Sequence, residues 1–315
     1  MSKKYENICV VDSVYSLMIY FLYQRGIIGT TLFIVSDAVP KEILNNLTHY
    51  IYLPSYKGKR FSQVRRLLYT FYFKFFRFKR EIPGFKDLQL FGQDHLFYSF
   101  VFLTKEYKLI EDGLGNYFRP KKSFSYYMRK ILLGGDEWGR NSKAKSILLT
   151  GLAEIPVELL NKTKILNIRD IWLSLNESQK NKILDSFAID TCLSHQTITT
   201  ILLTQPFSED LVMSEKEKIH LYKSMTLNYS GTLFIKPHPR ETTDYSLYFN
   251  DNVIVLSKSF PFQLLMLINP PERIVTCFST VAYLSFSGKV DIFGTAFNEK
   301  LFSRYGEVKS NLNDK

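Results

Sequence analysis

The chain has 315 residues, of which 45% are hydrophobic, enough to fill the core of one large domain or two of ordinary size. Its formal charge is +11 and its mean hydropathy is near neutral, which excludes general disorder outside the terminal KSNLNDK. No apolar run reaches the length of a membrane span; the best candidate, VYSLMIYFLY at 14–23, ends at Gln24-Arg25.

MSKKYEN leads directly into the strand-like ICVVDS, so no secretory leader is expected. The amphipathic stretch to Arg25 precedes TTLFIVSD (30–37), then VPKEILNNL, then HYIYLP (49–54). From Lys57 to Arg80 the chain carries nine Lys or Arg residues, eight aromatics and no acid. Such a segment suits an anionic membrane surface, a partly buried helix with a solvated basic face, or nucleic acid. Nothing nearby resembles an RRM or KH motif, so nucleic acid is not an expected partner. After a mixed segment, YKLIEDG (107–113) is the next strand end. The polar helix NESQKNKILDSF closes the first half.

The pattern restarts near residue 195. TITTILLTQP (197–206) leads to a helix whose Ser214 and Glu217 fit a capping box. TLFIKPHP, NVIVLS, the helix PFQLLMLIN, RIVTCFST, the helix VAYLSFSG and VDIFGT follow. Short apolar strands alternating with helices predict parallel sheets covered on both faces. The expectation is α/β: two doubly wound Rossmann-type domains, 1–195 and 196–315, with an intervening cleft. Cys9, Cys192 and Cys277 are far apart and lack CxxC spacing. They read as small buried hydrophobes of a reducing, cytoplasmic compartment.

Three constellations fall at strand ends, where ligands gather in such folds. Glu111-Asp112-Gly113 offers a carboxylate able to act as a general base, and Gly113 and Gly115 allow a sharp turn and close approach to a ligand. In FIKPHPRE, Pro237 and Pro239 stiffen the backbone around His238, and Lys236 adds positive charge, a hook better suited to phosphate than to metal. Ser279-Thr280 stands where a strand gives way to a helix, a ready anion site. The bland alternatives are an acidic turn, a loop after a strand and a plain N-cap. Together the three fit a nucleotide-sugar transferase. No DxD triplet, GxxxxGK[ST] loop or GxSxG elbow occurs, so no metal and no other cofactor is expected.

Glu111-Asp112-Gly113 resembles the D/E-D/E-G motif of bacterial sialyltransferases. His238-Pro239 resembles their His-Pro motif, and Ser279-Thr280 is similar to their Ser/Ser-Thr motif. LTQPFSED, at the first strand of the second half, looks most like glycosyltransferase family 52, whose members sialylate lipooligosaccharide and capsule. The resemblance covers about residues 105 to 295. It implies a GT-B-like fold, CMP-sialic acid as donor, inversion at the anomeric carbon and no metal. The acceptor implied is a terminal galactose of a surface glycan, with an α-2,3 linkage expected. Residues 1–195 would form the acceptor side and 196–315 the nucleotide-sugar side. Glu111 or Asp112 would be the base, with Glu209 and Asp210 as the competing carboxylates. His238 would hydrogen-bond the departing phosphate, and Lys236, Pro239, Ser279, Thr280, Gly113 and Gly115 would line the donor. Residues 57–80 would hold the enzyme at the cytoplasmic membrane face, and the family admits a homodimer. The rival readings are a GT-B transferase with another nucleotide donor, or a non-enzymatic basic protein binding membrane or nucleic acid.

Overall fold

Runs rich in Ile, Val and Leu that alternate with helices build two parallel sheets, one in each of two compact units, Met1–Ala188 and Ile189–Lys315. The break precedes the short turn Thr191–Ser194, where the sequence had suggested a boundary after 195. The structure, a computed structural model, describes residues 5–56, 60–119, 124–194, 196–250, 252–279 and 288–312. Thr280, most of the helix expected at 281–288, and residues 57–59 of the basic segment lie outside the described residues.

The first unit contains β1 (Asn7–Val10), β2 (Thr31–Val35), β3 (Tyr50–Tyr52), β4 (Gln89–Gly92), β5 (Tyr107–Ile110), β6 (Ala144–Leu149) and β7 (Thr163–Ile165). They pair in the order β3-β2-β1-β4-β5-β6-β7, all parallel. This is the doubly wound order, with its switch point between β1 and β4. The helix Val14–Tyr23 starts at Ser13, whose hydroxyl accepts the Ser16 N–H at 3.1 Å. It is not amphipathic as expected: Leu17 through Leu22 are all fully buried, so it serves the core on nearly every side. Among the described residues no helix is long and apolar enough to cross a membrane.

The second unit contains β8 (Thr200–Leu203), β9 (Leu233–Lys236), β10 (Val253–Val255), β11 (Arg273–Thr276) and β12 (Lys289–Ile292). Their order, β10-β9-β8-β11-β12, is again parallel throughout and places the switch point between β8 and β11. The Ser214–Glu217 capping box forms in full and starts the helix Glu215–Thr226. Cys9 and Cys277 are buried, but Cys192 is exposed. It sits on the Thr191–Ser194 turn, where its N–H reaches Asp190 at 2.8 Å and its side chain points outward.

Candidate functional site

In an open parallel sheet the two loops leaving the strands at the switch point diverge, one to each face, and leave a mouth at the carboxyl ends. In the first unit those loops start at Asp12 after β1 and at Gln93 after β4. Gln93 ties them together: its Oε1 accepts the Asp12 N–H at 2.6 Å and its Nε2 donates to the Ser16 hydroxyl at 3.1 Å. Asp94, buried, accepts the N–H groups of Trp138 and Gly139 at 2.7 and 2.9 Å and the Tyr107 hydroxyl at 2.8 Å. That anchors the Trp138 segment beside His95. The two rings stack with centroids 3.7 Å apart and planes 8° from parallel.

One strand further on, Glu111 and Asp112 part ways, as successive residues of an extended chain must. Glu111 is fully buried; its carboxylate accepts the Thr150 N–H and, at 3.2 Å, the Tyr117 hydroxyl. Burial pushes its carboxyl up to about 7, against the pull of those hydrogen bonds. Asp112 keeps 26% of its side chain exposed and meets His95, with Oδ2 3.1 Å from Nε2. Burial alone would raise the Asp112 carboxyl, but the hydrogen bond and charge of His95 hold it below its usual value. Asp12 is pushed up to about 6 by burial, with Ser36 pulling against this and the Asp112 charge adding to it. At this mouth the first unit therefore presents one carboxylate whose proton affinity is lowered, beside two whose proton affinity burial raises.

Gly113 takes φ +62°, a left-handed turn that swings the chain away directly after Asp112. Gly115 lacks a side chain for a different reason than ligand approach, since a Cβ there would run into the Trp138 indole. The space expected for a ligand beside Gly115 is filled by the ring that backs His95.

The raised Glu111 carboxyl has a sign that can be tested. The folded state binds its proton more tightly than the unfolded chain, so this group's stabilising contribution is complete below 4.5 and declines as pH rises toward 7. The melting temperature of Glu111→Gln, compared with wild type across that window, should lack this part of the decline. Parallel curves would place the Glu111 proton elsewhere.

In the second unit the loop after β9 carries the histidine. Its N–H donates to Glu241 Oε2 at 2.7 Å, and its Nδ1 accepts the Arg240 N–H at 3.1 Å. A neutral ring that accepts at Nδ1 carries its proton on Nε2, so His238 presents an N–H donor. Burial, then the charges of Arg240 and Lys236, hold its pKa down at about 4. Lys236 is 5% exposed, lies 4.7 Å over the Phe260 ring, and is lowered by burial to about 7. Beneath the loop, buried Glu241 also accepts from Thr204 and, at 2.6 Å, from Tyr245, with Lys218 Nζ 3.5 Å away.

The competing carboxylates are already engaged. Asp210 forms a fork with Arg240, at 2.6 and 2.9 Å. Burial would raise Glu209, but the Thr242 N–H and Lys218 hold it at about 2. Thus Lys236, His238, Pro239 and Asp210 are gathered on one side through Arg240 and Glu241. Ser279 stands three residues past the end of β11, two strands from β9, buried, with its N–H donating to the Thr276 hydroxyl at 3.2 Å. The sequence reading missed His95, Trp138, Asp12 and Glu241. Only Asp12 and Glu241 carry a signal: one ends VVD after a strand, the other follows the His-Pro pair by two residues.

The family model described as Glycosyltransferase family 52 matches residues 39–301. A protein of Haemophilus influenzae, described only as uncharacterized, is 38% identical over 240 residues, which cover 75% of this chain and 77% of that one. Among solved structures, a 2,6-sialyltransferase of Vibrionaceae Photobacterium sp. JT-ISH-224, in a ternary complex with donor product CMP and acceptor substrate lactose, is similar with a TM-score of 0.57. The match covers 90% of this chain and 70% of that chain at 12% identity, a likeness of fold.

Proposed function

The chain belongs to glycosyltransferase family 52, with the paired parallel-sheet units of a GT-B glycosyltransferase, and from that premise we propose that it is an inverting sialyltransferase. The donor is CMP-sialic acid, and the acceptor is a terminal galactose of a surface glycan, joined through an α-2,3 linkage. The observation that carries this reading is the state of His238. An imidazole whose Nδ1 accepts the Arg240 N–H, and whose pKa burial holds well below its ordinary value, is built to donate from Nε2, not to titrate, in the neutral range.

The division of labour follows from the two sets of groups. In the second unit, negative charge grows on the phosphate of the departing nucleotide as the glycosidic bond breaks. His238 Nε2–H donates to it, and a phosphate beside Lys236 restores the proton affinity that burial removed. In the first unit, Asp112 takes the proton of the acceptor hydroxyl as that oxygen attacks the anomeric carbon from the opposite face. His95, stacked on Trp138, holds Asp112 in place and favours its ionised form. Asp112 is preferred to Asp210 because Asp210 is locked in a two-bond fork with a guanidinium, whereas Asp112 meets one histidine through Oδ2 and serine hydroxyls otherwise.

The test is incubation with CMP-sialic acid and lactose, with mass spectrometry for product and NMR for linkage. No sialylated lactose, but product from another nucleotide sugar, would keep the fold's chemistry and replace the donor. The same assay should run undiminished in EDTA. In this proposal Lys236 and N–H donors meet the phosphate charge, and among the described residues no group of three or more His, Cys, Asp or Glu is placed to hold a metal ion. Turnover lost in EDTA and restored by Mg²⁺ or Mn²⁺ would overturn that.

A further inference from the structure

The basic segment is sorted by its helix into two faces of different chemistry. Ser62–Tyr72, the π-helical turn Phe73–Arg77 and Phe78–Glu81 run on as one helix in the first unit. Tyr69, Phe71, Phe73 and Phe78 turn inward; Phe73 is fully buried against Phe102, and Phe71 packs on Phe100. The core therefore uses only half of the segment's apolar side chains.

The other half faces out. Val64, Leu68, Tyr72, Phe75 and Phe76 recur at intervals of three or four residues, which puts them along one side of the helix, with Phe61 at its start. Leu68 is 64% exposed, Phe75 70% and Phe76 74%, and the Phe76 ring stacks on Tyr72 at 5.6 Å. A continuous apolar stripe of this kind is rare on a surface that meets only water. The helix Phe124–Leu133, which packs on the same Ser99–Phe102 helix that supports Phe71 and Phe73, also exposes Tyr127, Met128 and Ile131. Arg60, Arg65, Lys79 and Arg80 are exposed around the stripe, and the sequence from 57 to 80 contains no acid.

We propose that this face docks on an anionic lipid surface, with the stripe led by Leu68 and Phe76 among the acyl chains and the four basic residues on the headgroups. The charge pattern selects this occupant. A second copy meeting the stripe about a two-fold axis would bring Arg60, Arg65, Lys79 and Arg80 against one another. Single-stranded nucleic acid wants rings set along a basic groove, whereas here the aliphatic Val64 and Leu68 are part of the exposed stripe. An apolar face with cationic flanks is the pattern of a helix lying in a membrane interface.

The experiment is co-sedimentation of the full chain with vesicles of phosphatidylcholine, with and without phosphatidylglycerol, at low and high salt. The expected result is binding to the anionic vesicles only, reversed by salt. Leu68→Ser with Phe76→Ser, and separately Arg60, Arg65, Lys79 and Arg80 each →Gln in one variant, should each weaken binding by more than about tenfold. Both variants should keep the wild-type melting temperature, since the altered side chains point away from the core. Binding is read without any sugar transfer, so it stands or falls separately from the transferase reading. Equal binding to neutral and anionic vesicles, undiminished binding by either variant, or a salt-sensitive complex with single-stranded oligonucleotide and none with vesicles would each overturn the proposal. So would a stable dimer that Leu68→Ser with Phe76→Ser dissociates.

Discussion

Asp112→Asn should slow sialyl transfer by roughly 10²–10⁴-fold while leaving CMP affinity at the wild-type level. The amide keeps the size of the side chain and its contact with His95 but has no lone pair basic enough to take the acceptor proton. CMP affinity is spared if, as proposed, the phosphate-facing groups belong to the second unit. Two comparisons sharpen the result. Glu111→Gln should act mainly on stability, because its carboxyl is fully buried and engaged by Thr150 and Tyr117. Asp210→Asn should loosen the fork to Arg240 and thereby the His238 loop, with a smaller loss of rate. If Asp210→Asn alone abolished transfer with CMP binding intact, the base would be in the second unit, and Asp112 would be an acceptor-binding group.

His238→Ala should reduce kcat by about a hundredfold, or ~3 kcal/mol of barrier, with a much smaller change in donor KM. In the proposed mechanism the hydrogen bond from Nε2 strengthens as charge collects on the leaving phosphate, so its loss is felt in the transition state more than in the bound donor. A pH–rate profile distinguishes this role from proton transfer. With a pKa near 4, the ring stays neutral throughout the neutral range, and wild type should show no step there that His238→Ala removes. An unchanged kcat in His238→Ala would reduce the residue to a loop element held by Glu241.

The parts legible in the sequence were those that local chemistry fixes. The β1, β5, β8, β9 and β11 runs are apolar and end abruptly, and Asp112, His238 and Ser279 stand two or three residues after three of them. The prolines around His238 announced a stiff loop without any knowledge of neighbours. Three strands went unread. β4 is only four residues long and opens on an exposed glutamine, β6 begins Ala-Lys-Ser, and β7 has two of its three residues exposed. Missing β4 hid His95, because its approach to Asp112 exists only when β4 lies beside β5. No spacing along the chain encodes that adjacency. Lys218 was hidden in another way: within SEKEKIHLY it looks like one more solvated charge, yet its side chain is 0% exposed and meets three glutamates. Whether a lysine faces water or an acid cluster is decided by the helix's rotation on the sheet, which a run of alternating charges leaves undetermined.

The contact between Gly115 and the Trp138 indole has a consequence for how this site can change. A side chain at 115 needs the room the indole occupies, and a smaller ring at 138 removes the surface on which His95 is stacked. Positions 95, 115 and 138 are thus one mutational unit spread over three loops. A library that varies them singly should return mostly damaged enzymes, and useful alternatives should appear only when they change in concert. In any set of related sequences, these three columns should drift together.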